Sequence, residues 1–221
     1  MKYRIICADP PWKYDNDLVG RVDMGGKSYP TMSLAAIKSL PVGGLAADDC
    51  LLFLWATMPK LKEAIEVIEA WGFKYITCAF SWLKLNPRGE GIYSGLGRWT
   101  NGNVELCLLG KKGSPKRCER NVKQVIMAPR SRHSEKPAEA RDRIVRLAGD
   151  VPRIELFARD NADGWDAWGD EADSIVWLDA AFRGLPGRAG PRAFGILRLP
   201  EGFPFAKECG GRSGRSEATH A

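Results

Sequence analysis

Six apolar segments, each rich in β-branched and aromatic residues, constrain the fold of this chain more than any other feature. Their apolar residues are continuous rather than alternating with polar ones, a pattern typical of strands buried on both faces of a sheet. The segments span residues 3–8, 50–56, 75–85, 104–109, 122–127 and 153–158. A sheet built from such strands needs a covering layer on each side.

Helical patterns lie between several of these segments. The clearest runs from Pro59 to Gly72, another covers residues 137–147, and a shorter one follows Ser33 as its N-cap. Strands that alternate with helices predict an α/β fold, in which a mostly parallel sheet has helices on both faces.

The first segment ends in the sequence Asp9-Pro10-Pro11-Trp12, at the strand end where ligands of parallel sheets bind. The two prolines remove backbone donors and leave carbonyl acceptors, and Asp9 adds carboxylate oxygens. Trp12 is expected to expose a flat ring for stacking. Acceptors beside a stacking surface suit an exocyclic aromatic amine. A strand-ending turn with a buried tryptophan explains these four residues equally well.

Composition narrows the class of protein. A chain of 221 residues with 44% hydrophobic content predicts one domain with an appendage, and a net charge of +6 suits a phosphate-bearing partner. Six cysteines without a CxxC pair, together with two histidines, indicate reduced thiols and no metal site. Without a signal-peptide pattern or a membrane-length apolar stretch, the chain is expected to be cytoplasmic, with no membrane segment.

The order of motifs resembles one enzyme family. After "DPPW" come "SYPTMS", "LLFLWAT", "SWLKLN", "RWTNGNVELCLLGKKG", "HSEKPAEARDRI", "RIELFAR" and "GWDAWGDE". Together they are similar to the MT-A70 family of S-adenosylmethionine-dependent adenine-N6 methyltransferases, of bacterial or phage type. The resemblance covers roughly Tyr3 to Glu171, and residues 1–171 are expected to form one methyltransferase domain. It implies a Rossmann-like methyltransferase fold with permuted motif order, in which the catalytic DPPW precedes the cofactor strand. Residues 172–221, rich in Gly, Pro and Arg, are expected to be a poorly structured extension.

The resemblance also implies roles for individual residues. Asp9, Pro10, Pro11 and Trp12 match the catalytic motif, whose acid and first proline carbonyl are expected to hold the target amine. Contacts with S-adenosylmethionine are expected at Asp9, Lys136, Glu155, Arg159, Asp170 and Glu171, with Lys136 at the carboxylate of the methionine end. Tyr29 and Glu105 match positions at the pocket for the acceptor base.

Several of these residues have a simpler interpretation. Lys136 could be a solvated residue at a helix start, and Arg159 could form a surface ion pair with Glu155 or Asp163. Trp165 and Trp168 are expected to pack in the core or a lid rather than contact substrate.

A basic run between residues 111 and 132 is expected to flank the pocket and bind phosphates, and its substrate-binding candidates are Lys116, Arg117, Arg120 and Lys123. The alternative is a solvated loop. The leading prediction for the whole chain is methylation of adenine N6 in DNA, because the chain is compact and lacks the long flanking regions of eukaryotic members. An RNA methyltransferase and a non-catalytic nucleic-acid-binding subunit of the same fold are the alternatives, although the intact DPPW argues against the second.

Overall fold

The computed structural model describes residues 2–14, 31–97, 99–130 and 135–169. Its strands are β1 (Tyr3–Ala8), β2 (Ala46–Thr57), β3 (Lys74–Leu85), β4 (Val104–Lys112), β5 (Val125–Pro129), β6 (Arg153–Leu156) and β7 (Asp166–Trp168). Its helices are α1 (Leu34–Lys38), α2 (Val42–Leu45), α3 (Leu61–Ala70) and α4 (Ala138–Ala148), with a 3₁₀ turn over Met58–Lys60. The strands form one sheet in the order β5-β3-β4-β2-β1-β6-β7.

The sheet is mostly parallel, as the sequence predicts. The pairs β1–β2, β1–β6, β6–β7 and β3–β5 are parallel. Strand β4 pairs antiparallel with both β2 and β3, so it runs against the other six. The connection from β3 to β4, residues 86–103, contains five glycines, and its described residues form no helix. A connection without a crossover helix is typical of strands that pair antiparallel.

The central strands bury both faces, which explains their continuous apolar sequences. In β1, Ile6 belongs to the core cluster that includes Ala64 and Ile68 of α3. The adjacent Ile5 belongs to the opposite cluster, which includes Ile144 of α4. The prediction of helices on both faces is therefore confirmed, and the architecture is a Rossmann-like α/β fold.

The element boundaries agree with the sequence pattern at several ends. Ser33 caps α1, with its hydroxyl accepting from the Ala36 N–H, and α4 ends at Gly149, whose φ of 93° is accessible to glycine. Strand β7 was not predicted, because three residues are too short for a periodic pattern. Its Trp168 is buried, as is Trp165, which confirms their expected packing role.

Residues 170–221 lie outside the described part of the chain, and with them the expected extension beyond residue 171. Within the described residues, no helix is long and apolar enough to cross a lipid bilayer.

Candidate active site

The corner after β1 is a turn fixed by backbone hydrogen bonds. The Trp12 N–H donates to the Pro10 carbonyl at 2.9 Å, and the Met32 N–H donates to the Pro11 carbonyl at 2.8 Å. The Trp12 indole N–H donates to the Trp55 carbonyl on β2 at 3.1 Å, and the residue is only 7% exposed. The expectation of an exposed ring was therefore wrong: the indole anchors the turn to the neighbouring strand.

The anchored turn presents oxygen acceptors at the carboxyl end of β1. A carbonyl has two lone pairs, so the Pro10 oxygen can accept a second hydrogen bond beside the one from Trp12. The Asp9 carboxylate lies next to it in the chain and is largely buried. The corner can thus provide two kinds of acceptor to one donor group.

Asp9 belongs to a chain of alternating charges. The Lys136 ammonium donates to Asp9 Oδ2 at 2.5 Å and lies 3.4 Å from Glu105 Oε2. The other carboxylate oxygen of Glu105 pairs with the Lys84 ammonium. We call these four residues the Asp9 network. All four side chains are mostly buried, and charges so placed have to be paired.

Four separate segments supply the Asp9 network. Asp9 follows β1, Lys84 lies near the end of β3, Glu105 lies near the start of β4, and Lys136 precedes α4. Because β4 runs antiparallel, its start lies at the same edge as the ends of β1, β2 and β3. The Lys136 ammonium also lies 5.6 Å from the centre of the Trp55 ring, a distance at which a cation and an aromatic face attract.

The network sets the charge state of its members. Burial raises the pKa of Asp9, and Lys136 only partly offsets this effect. Burial also acts to raise the pKa of Glu105, but Lys136 and Lys84 outweigh it, and the pKa falls below its usual value. Burial acts to lower the pKa of Lys136, yet Asp9 and Glu105 raise it above the ordinary lysine value. Lys136 is therefore cationic and Glu105 anionic at neutral pH, and Asp9 is the acid whose charge is least favoured.

A second ionic group lies at the end of β6. Arg141 on α4 donates to Glu155 at 2.7 Å and to Asp160 at 3.0 Å. Burial raises the pKa of Glu155, and Arg141 acts against that shift. Arg159 lies close enough to Asp9 for its charge to lower the pKa of that acid. The structure thus places Arg159 at the Asp9 edge and pairs Glu155 with Arg141.

The turn after β6 has an unusual backbone. Phe157 has a φ of 62°, in the left-handed region, which non-glycine residues seldom adopt. Its ring packs edge-on against Trp168, with the ring centres 5.0 Å apart, and the Ala158 N–H donates to the Trp168 carbonyl. Packing against β7 thus holds the turn that carries Arg159.

The structure brings Asp9, Glu105, Lys136 and Arg159 to one edge, whereas Tyr29, Asp170 and Glu171 lie outside the described residues. Sequence reasoning missed Lys84 and Arg141. A lysine within the apolar segment 75–85 was the available signal for Lys84, because a charge in a buried strand needs a partner. The sequence offered no comparable signal for Arg141 on its polar helix face.

The basic run of residues 111–132 lies mostly away from the edge of the sheet that holds Asp9. The Ser114 N–H donates to Asp49 near the start of β2, and the Cys118 N–H donates to the Leu147 carbonyl near the end of α4. Both contacts lie at the edge opposite Asp9. Lys116, Arg117, Arg120 and Lys123 are exposed, and the Lys123 carbonyl accepts from Arg143 at 2.5 Å. The structure therefore does not bring Lys116, Arg117 and Arg120 to the pocket, and phosphate binding by the run stays a prediction.

Comparisons with known proteins give a consistent result. A sequence model of the MT-A70 family matches residues 3–171. The chain is 39% identical over 188 residues to the Type II methyltransferase M.MunI of Mycoplasma sp, an alignment that covers 76% of this chain and 77% of that protein.

Two eukaryotic relatives match over a smaller share of their length. The chain is 32% identical to the N(6)-adenosine-methyltransferase MT-A70-like protein of Drosophila melanogaster, across 80% of this chain and 28% of that protein. It is 31% identical to the N(6)-adenosine-methyltransferase catalytic subunit METTL3 of Homo sapiens, across 80% of this chain and 30% of that protein. The chain thus spans less than a third of these two relatives.

Proposed function

Because the chain belongs to the MT-A70 family of adenine-N6 methyltransferases, we propose that it transfers the methyl group of S-adenosylmethionine to the N6 amine of adenine in DNA. The observation that carries the proposal is the Asp9 network, which holds a buried acid beside the Pro10 carbonyl at the carboxyl edge of the sheet. The choice of DNA rests on the likeness to the Type II methyltransferase, which the chain matches over most of both lengths.

The charged groups at this edge fit the methionine end of the cofactor. Lys136 stays cationic at neutral pH and lies beside Asp9, and Arg159 adds positive charge nearby. A carboxylate that binds Lys136 would replace or share one of its present acidic partners, since an ammonium has three donors. When bound, S-adenosylmethionine supplies an electrophilic methyl group. We assign Lys136 to the carboxylate of its methionine end and, from the family resemblance, Arg159 to its ribose and neighbouring atoms.

Asp9 and the Pro10 carbonyl would hold the target amine. The adenine amine is a weak nucleophile because its lone pair is delocalised into the ring, and acceptors for both N–H groups favour a more tetrahedral nitrogen. Trp12 keeps the turn rigid through its bond to Trp55, so the acceptors are in position before the base arrives. Alignment of the amine with the methyl group is then the main contribution to the rate.

The proton released after methyl transfer also has a route through Asp9. The methylated nitrogen is briefly cationic and acidic, and the nearby Asp9 carboxylate can accept its proton. Burial raises the pKa of Asp9, which makes it a better proton acceptor than an exposed aspartate. Lys136 acts against that rise, because its positive charge favours the ionised carboxylate.

The test is an assay with labelled S-adenosylmethionine on unmethylated DNA and on RNA, followed by digestion of each product to nucleosides. We expect label in N6-methyladenine from DNA. RNA is the second candidate substrate because relatives named N(6)-adenosine-methyltransferases are 31–33% identical to this chain. Label in RNA alone would replace DNA with RNA, and transfer to neither nucleic acid would contradict the proposal.

We further propose that the basic run binds phosphates away from the reacting base. Replacing Lys116, Arg117, Arg120 and Lys123 with Glu should flatten the salt dependence of DNA binding by roughly one unit of slope for each phosphate that the variant no longer binds. The kcat at saturating DNA should not change, because three of the four lie at the edge opposite Asp9.

The matched control reverses four other exposed basic residues, Lys2, Arg4, Lys62 and Lys74, which changes the net charge equally. Salt titrations of DNA binding compare the two variants with the wild type. Equal salt slopes in both variants would mean that the basic run acts only through net charge and binds no particular phosphate.

A further inference from the structure

The β3–β4 loop, residues 86–103, carries two apolar side chains in almost full contact with solvent. Leu96 and Trp99 are each 98% exposed, whereas the other exposed large apolar side chains of the described residues are 43–58% exposed. Such exposure means that neither side chain contributes burial free energy to folding, and paired apolar side chains at one site are typical of a contact surface.

Backbone hydrogen bonds hold the loop in a defined shape and place these side chains in one turn. Its backbone forms two successive turns: an isolated bridge between Leu85 and Ile92 closes the first, and a bridge between Gly95 and Gly102 closes the second. The second bridge has reciprocal hydrogen bonds of 2.9 Å. Beyond it the chain turns tightly, since a Cβ on Gly97 would lie 2.0 Å from the Thr100 carbonyl oxygen. Leu96 and Trp99 therefore lie in the second turn of the loop, and we call the loop of residues 86–103 the finger.

The base of the finger belongs to the candidate active site. Lys84 precedes the loop, Glu105 follows it, and these two pair with each other. Glu105 in turn contacts Lys136, which donates to Asp9. Both ends of the finger are thus connected to Asp9 through side-chain contacts. The finger lies at the edge of the sheet where methyl transfer is proposed.

Positive charge lies along the finger. Arg130, just after β5, stacks over the Tyr93 ring at 3.8 Å, and Arg88 is exposed. The loop sequence has two arginines and one acid, Glu90. Leu96 and Trp99 are exposed apolar residues, and arginine and aromatic side chains lie near them in the loop. This composition matches surfaces that enter or stack on nucleic-acid bases.

We propose that the finger is a wedge that enters duplex DNA at the target adenine, where Leu96 and Trp99 occupy the stacking space left by the flipped base. The inference rests on the proposed function, because it assumes that DNA is the substrate. A base in a duplex has to leave the stack before its amine reaches Asp9, and the unstacking is unfavourable. Apolar side chains inserted between base steps offset part of that cost, and Arg88 and Arg130 are placed to contact the flanking phosphates.

The test compares native and heat-denatured unmethylated genomic DNA as substrates for the Leu96→Ala/Trp99→Ala variant. A single strand needs no wedge, because its bases are already unpaired. We expect methylation of native DNA to fall by roughly 10-fold or more, and methylation of denatured DNA to stay near the wild-type rate. The control variant is Val125→Ala/Met127→Ala, which removes two exposed apolar side chains on β5 and should affect neither substrate.

The possible failures are distinguishable. Wild-type protein that methylates neither form of DNA overturns the proposed function and the wedge together. Wild-type activity on native DNA that the double variant retains, or an equal loss on native and denatured DNA, overturns the wedge alone. A lower solution mass for the double variant than for the wild type would show that the finger binds a second copy of the chain, which also overturns the wedge.

Discussion

Replacing Asp9 with asparagine is expected to lower kcat for methyl transfer by roughly 10²- to 10³-fold, the usual effect of removing one group that stabilises transition-state charge. The amide keeps the size of the carboxylate and can still accept one hydrogen bond, but it carries no charge to stabilise a cationic nitrogen. Asparagine also cannot accept the proton that the methylated amine releases. Methyl transfer to DNA at saturating cofactor measures the effect.

The Asp9→Asn protein should remain folded. Burial already disfavours the Asp9 charge, and Glu105 remains as an acidic partner for Lys136. Circular dichroism melting checks the fold, and Asp163→Asn, at an exposed aspartate, is the matched control. A folded Asp9→Asn protein with near-normal turnover would exclude the proposed role of this carboxylate.

Replacing Lys136 with methionine is expected to weaken S-adenosylmethionine binding by roughly 10- to 100-fold, because a hydrogen bond between charged groups contributes about 1.5–3 kcal/mol. Methionine preserves most of the side-chain volume and removes the charge. Calorimetry measures the affinity. The control is Lys38→Met, which breaks the more exposed pair between Lys38 and Glu66 and should leave the affinity unchanged.

The same change should lower stability in a pH-dependent way. Removing one partner from a buried ion pair costs about 3–5 kcal/mol, and the pKa of Asp9, already raised by burial, should rise further without Lys136. A carboxylate whose folded pKa lies above its unfolded value binds more protons in the folded state, so stability falls as the pH rises between the two values. The loss in free energy of unfolding caused by Lys136→Met should therefore be larger at pH 8 than at pH 5. A deficit that is equal at both values would show that Asp9 keeps its charge by other contacts.

The sequence predicted the order of most strands and helices because the central strands are buried on both faces, and such burial leaves continuous apolar segments. It did not predict the direction of β4, because an apolar segment reads the same in either direction. It also did not predict β7, whose three residues pair with β6 through backbone bonds that leave no periodic pattern.

The sequence predicted individual site residues that belong to recognisable motifs, but it did not predict the contacts between them. Asp9 and Lys136 were expected separately, but their contact joins residues 127 positions apart, and no local pattern encodes a contact over that distance. The burial of Trp12 depends on the Trp55 carbonyl of a neighbouring strand. The four candidate phosphate-binding residues were expected beside the pocket because they are close to Lys136 in sequence, whereas the chain crosses the molecule between them.

The reversed direction of β4 lets the β3–β4 connection vary in length while the residues at its two ends keep their positions. Because β4 returns antiparallel, the β3–β4 connection lies at the edge of the sheet that holds the Asp9 network. Its described residues form no helix, so its length is not fixed by a helix that must cover the sheet. Insertions there would lengthen or reshape the surface presented to a substrate without shifting Lys84 or Glu105 at its base. If the proposed function is correct, exchange of residues 86–103 between relatives should alter target selection and leave the Asp9 network unchanged.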